Sequence, residues 1–547
     1  MSGMVFNKFV SRTFLFLWLV FLLSCSHPVH DNRKVFYYNE TTGIATLDPA
    51  FAKNQSIMWA VHQVYNTLVE VDSNLNIVPS LAKSWEVSND RLSFTFHLRQ
   101  DVFFQDNDAF GDGKGRKFTA QDVVYSFNRI QDKSTASSGA WIFNNRVADN
   151  GFIALDDSTF RLKLIRPFHP ILGILSMQYC SIIAHESVEK YGKDFGRHPC
   201  GTGPFQLFLW DEGQAMILHK NERYWEHDEM GKTLPYLDAV KINFYDNKAT
   251  EFLEFRQGRL SFINDIDPSF KDEVLTKKGE LRNEWTGKII LSKHAYLNTE
   301  YFGILLDTAN TLVKQSPLKI KAIRQAINYA INRRQLMMYI RNSIGTPAEA
   351  GMVPEGLPGQ NTIFVKGYNY NPGTARLLLK KAGVNTDDIP VIKLLTIPTY
   401  ADIASFAAKQ IEDIGIKVQV EVIQKSLLLE QTAKQEALFF RGSWIADYPD
   451  AENYMAMFYS KNPSPPNYTR YNNPSFDILY DKALQENNDS ARYALYRQMD
   501  QLIINDAPVV PVFYDEAIHM INPNITGMLP NALNLLELRR VDIKQVR

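Results

Sequence analysis

The sequence predicts a mixed α/β fold, because strand-like and helix-like patterns alternate along its length. The chain has 547 residues, of which 45% are hydrophobic and 22% are charged. This composition is typical of a globular protein, and the length allows two or three domains. The 59 Lys and Arg residues are balanced by 60 Asp and Glu residues. No basic excess therefore favours nucleic-acid binding, and we expect none.

Five segments have the pattern of strands. The first begins with the apolar run at residues 35–38. The other four alternate polar and apolar residues, as half-buried strands do. They are residues 92–98, 159–164, 241–245 and 417–423.

Four segments predict helices. Apolar residues recur at helical spacing along residues 319–340, which predicts one long helix. Two further helices end at a glycine, which favours the left-handed conformation found after a helix C-terminus. They are residues 374–382 before Gly383 and residues 405–414 before Gly415. A fourth helix, residues 492–505, ends before Pro508.

The N-terminal segment resembles the signal of a bacterial lipoprotein. Lys8 and Arg12 precede ten apolar residues at 14–23, which are too few to span a bilayer. A small residue and Cys25 follow directly, as in a lipobox. This resemblance implies cleavage after residue 24, lipidation of Cys25 and a tether over residues 25–34. A plain secretory signal and a short membrane anchor are the alternatives. We expect a protein of the cell envelope, lipid-anchored to a membrane and facing the periplasm or the cell exterior.

Two cysteines remain after Cys25. Cys180 and Cys200 would lie in an oxidising compartment, where thiols pair. They predict a disulfide that closes a loop of about 20 residues. Two free buried thiols are the alternative.

The sequence gives little support to an enzyme or a metal site. It has no HExxH and no GxSxG motif, and its 11 histidines form no i, i+4 pair. The polar loop at residues 105–117 begins like a calcium loop, but Ala109 stands at a ligand position. We therefore expect no catalysis, no metal and no cofactor.

Six segments resemble one protein family, in the order that the family has them. They include the GTGPF turn at residues 201–205 and the WIADYPD segment at residues 444–450. The family is that of the extracytoplasmic solute-binding proteins of ABC importers, in its peptide- and oligopeptide-binding branch (solute-binding protein family 5). The remaining segments are residues 79–130, 323–333, 370–383 and 507–512.

The resemblance implies two lobes joined by a hinge, as in periplasmic binding proteins, with the ligand in a cleft between them. Lobe I would contain residues 35–295 and 512–547, with a subdomain at about residues 80–195. Lobe II would contain residues 296–511. The chain would cross between the lobes near residues 295–302 and 509–513.

The resemblance also implies four ligand-binding residues. Asp447 would pair with the free ammonium group of a peptide, because an unpaired charge in a closed cleft is costly. Arg441 would meet a peptide carboxylate through its guanidinium fork. Trp444 and Tyr448 would form the pocket wall. The alternatives are a turn role for Asp447, an ion pair for Arg441 and a core position for the two aromatic residues.

The function that the resemblance implies is capture of short peptides and their delivery to an ABC transporter. The expected partners are the peptide, the permease and ATPase complex, and a membrane through the lipid anchor. We expect a monomer. One alternative keeps the fold and changes the solute to an oligosaccharide, haem or a nickel complex. Another is a peptide receptor or chaperone without a transporter.

Overall fold

A seven-stranded sheet with two long central strands organises the fold. The computed structural model describes residues 33–267, 269–358 and 363–544. The signal segment and the predicted lipidation site Cys25 lie outside these residues. The chain from Val35 onward forms one unit.

The described residues contain nineteen strands. They are β1 (Val35–Asn39), β2 (Val69–Val71), β3 (Ile77–Pro79), β4 (Ala82–Val87), β5 (Ser93–Leu98), β6 (Val147–Asp156), β7 (Thr159–Leu164), β8 (Phe205–Asp211), β9 (Ala215–Lys220), β10 (Ala239–Asn243), β11 (Phe262–Asn264), β12 (Ile290–Ile304), β13 (Thr346–Pro347), β14 (Ile392–Thr396), β15 (Val418–Val422), β16 (Phe439–Ile445), β17 (Val509–Ile521), β18 (Ile525–Thr526) and β19 (Asp542–Ile543).

The same residues contain fifteen α-helices. They are α1 (Gln55–Val64), α2 (Ala120–Gln131), α3 (Ile171–Leu175), α4 (His185–Tyr191), α5 (Lys248–Arg256), α6 (Lys271–Val274), α7 (Thr311–Gln315), α8 (Lys321–Ala330), α9 (Arg333–Ile340), α10 (Pro372–Lys381), α11 (Ala401–Glu412), α12 (Lys425–Ala433), α13 (Glu452–Met455), α14 (Pro474–Gln485) and α15 (Asp489–Asp506).

The seven-stranded sheet is mixed. Its order is β11-β17-β12-β16-β14-β15, and β13 pairs with β17 off this path. The strands β14 and β15 are parallel, whereas β12 pairs antiparallel with both β16 and β17. Two four-stranded sheets stand apart from it, in the orders β1-β10-β9-β8 and β4-β5-β7-β6. Mixed sheets together with helices confirm the predicted fold class.

The strands β12 and β17 connect different hydrophobic cores. They pair from Ile290 opposite Ile521 to Gly303 opposite Val509. One end of β17 packs Met520 into a core that also contains helix α5. Its other end packs Phe513 into a second core beneath helices α8 and α11. The predicted chain crossings lie within these two strands, while the predicted lobe boundaries stay a prediction.

One predicted helix is two helices in the structure. The segment predicted as a single helix over residues 319–340 is interrupted between α8 and α9 by two non-helical residues, Ile331 and Asn332. The Asn332 side chain accepts a hydrogen bond from the backbone N–H of Gln335, so it caps α9. The buried Arg333 donates to the carbonyls of Asn328 and Pro511. These bonds tie the break to β17.

The predicted disulfide is wrong in this structure. Cys180 and Cys200 are buried free thiols. The Cys200 thiol donates to the carbonyl of Gln105 at 3.5 Å. Burial raises the pKa of Cys200 to about 12 and raises that of Cys180 further, so both remain neutral. The two residues fit the alternative of free thiols, which fill the core as small apolar side chains.

Candidate functional site

A cavity of about 410 Å³ contains Asp447 in its wall. The wall is assembled from segments that lie far apart in the sequence. Residues 52–62 and 67–78 form part of it, and residues 176–179 and 529–540 form another part. Tyr296 and the residues around Asp447 complete it.

Strand β16 delivers Asp447 to this cavity. Its last residue, Ile445, pairs with Asn298 of β12. The next backbone N–H, of Ala446, donates to the carbonyl of Leu297 at 2.8 Å. The Tyr454 hydroxyl donates to the carbonyls of Leu297 and Trp444. These bonds fix the chain at the strand end, so that Asp447 leaves it in a defined position.

Among the described residues, the Asp447 carboxylate has one side-chain partner. The Asn453 amide donates to its Oδ2 at 3.1 Å, and the Asn453 Oδ1 accepts from the Asp447 backbone N–H at 3.3 Å. Within the described ranges no cation pairs with this carboxylate. The side chain is open to the cavity but has protein on most sides, and desolvation raises its pKa to about 6. A carboxylate in this environment can accept a hydrogen bond from a cationic group.

Asn453 also explains the position of Trp444. Trp444 does not line the cavity, which corrects the expectation of a pocket-wall role: its indole N–H donates to the same Asn453 Oδ1 at 2.8 Å, and the indole packs against the largest core. Asn453 therefore orients the segment that carries Asp447. Sequence reasoning did not find it, since an asparagine six residues after an aspartate has no distinctive pattern.

Tyr448 is a core residue and does not line the cavity. It is buried, and its hydroxyl donates to the Glu452 carboxylate. Gly173 of α3 lies so close that a Cβ there would be 3.1 Å from the Tyr448 Cβ. This position corrects the expectation of a pocket-wall role and fits the alternative of a core position.

Arg441 also lies outside the cavity wall. Its guanidinium donates to both carboxylate oxygens of Glu300 at 2.7 Å and stacks on the Tyr400 ring at 3.8 Å. The Tyr400 hydroxyl donates to Glu300 as well. The guanidinium is already paired with the Glu300 carboxylate. Arg441 therefore fits the alternative of an ion pair and not that of a ligand-binding residue.

A second group of charges in the cavity wall surrounds Arg539. The Arg539 guanidinium lies 2.6 Å from Glu70, 2.9 Å from Glu226 and 3.1 Å from Glu537. His62 lies 3.1 Å from Glu537. Burial opposes the ionisation of Glu537, yet Arg539 and His62 lower its pKa to about 2. The network joins residues more than 460 positions apart, so no local sequence signal reveals it.

Two kinds of feature are absent from the described residues. None of their helices has the length and apolar character to cross a membrane. No three His, Cys, Asp or Glu side chains among them form a group that could hold a metal ion.

Fold and sequence together define a solute-binding protein. Residues 76–466 match the model of the bacterial extracellular solute-binding proteins, family 5. The chain belongs to this family, which confirms the resemblance seen in the motifs.

Relatives and solved structures agree with this assignment. The glutathione-binding protein GsiB of Escherichia coli is 26% identical over 496 residues, which cover 89% of this chain and 90% of GsiB. The periplasmic binding protein DppA of Helicobacter pylori, solved with the peptide STSA, is 26% identical with a TM-score of 0.76. That match covers 94% of this chain and 99% of DppA. HbpA2 of Haemophilus parasuis has a TM-score of 0.79 at 23% identity, covers 93% of this chain and 100% of its own, and supports the two-lobed fold.

Proposed function

We propose that the protein captures short peptides with a free amino terminus in the cavity beside Asp447. One observation carries this proposal: the Asp447 carboxylate faces the cavity, is partly desolvated and has no cationic partner within the described ranges. A ligand ammonium group would supply the missing charge. Hydrogen bonds between charged groups contribute about 1.5–3 kcal/mol, so this contact would dominate recognition of the amino terminus.

The size and lining of the cavity support a small ligand. Small-molecule sites are usually about 300–1,000 Å³ and mostly apolar with a few placed polar groups. The cavity of about 410 Å³ fits this range, and Met58, Trp59, Met177 and Tyr179 contribute large side chains to its wall. Such walls accept varied peptide side chains, while the amino terminus is fixed by charge.

Glutathione is a second candidate, because GsiB is named for binding it. Glutathione is a tripeptide with a free α-amino group, so Asp447 would serve it in the same way. The oligosaccharide, haem and nickel-complex alternatives have no ammonium group and would leave Asp447 unpaired.

The transport role completes the proposal. The signal of residues 1–24 would be removed, and lipid on Cys25 would hold the protein at a membrane of the cell envelope. The monomeric binding protein would deliver its peptide to an ABC permease and ATPase complex, without covalent chemistry on the peptide. Membership of family 5 supports this role.

Titration calorimetry on the mature protein tests the proposal. Trialanine, a mixed panel of peptides of two to five residues, and glutathione would be compared with N-acetylated trialanine, cello-oligosaccharides, haem and nickel chelates. We expect binding of free peptides or glutathione and a loss of at least about tenfold on N-acetylation. The substitution Asp447→Asn should remove this discrimination.

The control is Asp72→Asn, since Asp72 lines the same cavity but accepts hydrogen bonds within its own turn. This variant should keep the preference for a free amino terminus. Binding of N-acetylated and free peptides with equal affinity would contradict the role of Asp447. Binding of a sugar, haem or nickel complex in place of every peptide would overturn the proposed solute.

A further inference from the structure

The charged side chains of the cavity wall differ in whether a partner already satisfies them. Six of the eight are either in ion pairs or in a turn. The eight are Lys53, His62, Glu70, Asp72, Asp447, Glu537, Arg539 and Arg540.

Arg539 cannot take a ligand carboxylate without losing a partner, because Glu70, Glu226 and Glu537 surround it. Arg540 is paired with Glu226 at 2.7 Å. Each of these guanidinium groups is therefore committed to protein carboxylates.

Asp72 is satisfied in a different way. Its Oδ1 accepts the backbone N–H groups of Asn74 and Asn76, each at 2.8 Å, and its Oδ2 accepts the Asn76 amide at 3.1 Å. Partial desolvation opposes the ionisation of Asp72, but these hydrogen bonds outweigh it and lower the pKa. Asp72 closes the turn between β2 and β3.

Lys53 and Asp447 remain. The Lys53 side chain is exposed, and its ammonium group makes no hydrogen bond or ion pair with the described part of the chain. Its backbone is held, because its N–H donates to the carbonyl of Phe51 at 2.7 Å and the next residue, Asn54, caps α1. The cavity wall thus presents one cation and one carboxylate without a countercharge.

We infer that Lys53 binds the carboxylate of the ligand whose ammonium group Asp447 binds. The inference rests on the proposed function and deepens it, because it makes the preferred ligand a short zwitterion with both ends free. It also gives Lys53 the part that sequence reasoning gave to Arg441. Arg441 is already neutralised by Glu300 at 2.7 Å and does not line the cavity.

The two groups come from distant parts of the chain. Lys53 precedes α1, and Asp447 follows β16. In the predicted division they belong to lobe I and lobe II. A peptide that contacts both would stabilise the closed arrangement of a hinged protein, since a ligand favours the state in which it makes more contacts. Peptides too short or too long to reach both groups would bind more weakly.

Calorimetry with trialanine and trialanine amide tests the inference. Four proteins would be used: wild type, Lys53→Met, Lys53→Arg and Lys83→Met. Lys83 is an exposed lysine of β4 outside the cavity and serves as the matched control. We expect amidation to weaken binding to the wild type about tenfold, and Lys53→Met to weaken binding of the free acid to a similar degree. Amidation should weaken binding to Lys53→Met almost no further. It should weaken binding to Lys53→Arg and Lys83→Met as much as it weakens binding to the wild type.

The outcomes separate the inference from the proposed function. If free peptides bind through Asp447 but Lys53→Met still discriminates against the amide, the inference is overturned and the proposed function stands. The inference is also overturned, and the proposed function stands, if trialanine amide binds the wild type as tightly as trialanine does. If neither trialanine nor the mixed panel nor glutathione binds the wild type, both fail. Unchanged melting temperatures of the unliganded variants would show that the losses arise from binding.

Discussion

The two charged regions of the cavity wall differ in what they leave for a ligand. Around Arg539, every charge is matched by another protein charge within 3.1 Å. Around Asp447, the only side-chain partner among the described residues is the neutral amide of Asn453. A charged residue in a cavity wall therefore indicates an opposite charge on the ligand only if no protein group already pairs with that residue. The charges of the first region pair with one another, whereas the Asp447 carboxylate has no cationic partner among the described residues.

The largest expected effect follows from removing Arg539. The substitution Arg539→Met would remove the cation of the buried Glu70 and one of the two cationic partners of the partly exposed Glu537. Breaking a buried pair in this way typically costs about 3–5 kcal/mol of unfolding free energy. Denaturant unfolding at pH 7 would measure the loss. Arg540→Met is the control, because Arg540 is 40% exposed and has one carboxylate partner; we expect a loss of about 1 kcal/mol or less. Equal losses of unfolding free energy in both variants would contradict the expectation that the buried network stabilises the fold more than the surface pair does.

Arg441 is a second arginine whose charge is already paired within the protein. The substitution Arg441→Met should lower the unfolding free energy by about 3 kcal/mol, since it strands Glu300 in a buried site. The affinity for trialanine should stay within about twofold of the wild type, because Arg441 does not line the cavity. Calorimetry beside denaturant unfolding would separate the two effects. A large loss of affinity in a variant that remains folded would restore the ligand-binding role expected from the sequence.

The sequence predicted the fold well because local patterns carry it. The alternation predicted in residues 92–98 and 159–164 appears as β5 and β7, and Gly383 and Gly415 follow helices at positive φ. The break at Asn332 was missed because the apolar spacing continues across it, although Asn332 is a residue type that caps helices. The bonds from Arg333 to Asn328 and Pro511 hold the break in place.

The site was harder to predict than the fold. Asp447 could be proposed because it stands in a motif that resembles the family. The partners that decide between a ligand contact and an ion pair lie far away in the sequence. Glu300 is 141 residues from Arg441, and Glu70 is 469 residues from Arg539. No spacing rule connects such residues, so only the folded structure shows which charged residues are already paired within the protein.

The pH dependence of peptide affinity provides a smaller effect. The ammonium contact needs Asp447 in its ionised form, and its pKa is raised to about 6 by desolvation. The affinity for trialanine should therefore increase as the pH rises through about 6 and reach a plateau near pH 7. It should fall again as the peptide amino group, with a pKa of about 8, loses its proton. Calorimetry from pH 5 to pH 9 would measure the profile. Asp447→Asn should lose the rise near pH 6, and a variant that keeps it would assign the titration to another group.

The smallest expected effect concerns the stability of the unliganded protein, because the Asp447 side chain is exposed and solvent screening reduces the cost of its charge. Because the pKa of Asp447 is higher in the folded state than the usual value of 3.8, the folded state binds this proton more tightly than the unfolded state does. Below about pH 4 the Asp447 carboxyl is protonated in both states and does not change the free energy of unfolding. As the pH rises through 6, its ionisation lowers the free energy of unfolding. Asp447→Asn should melt at the same temperature as the wild type near pH 4 and slightly higher near pH 8.

Asp506 provides the comparison for that measurement, because its charge already has partners. Its carboxylate accepts from Lys321 at 2.8 Å, from the Tyr471 hydroxyl at 2.7 Å and from Asn473 at 2.8 Å. Desolvation opposes its ionisation, but these partners lower its pKa, so its charge stabilises the folded state at pH 8. Asp506→Asn should therefore lower the melting temperature at pH 8. If Asp447→Asn were destabilising to the same extent, Asp447 would be a structural residue like Asp506. The distinction between the two charged regions would then disappear, together with the main support for a ligand ammonium group at Asp447.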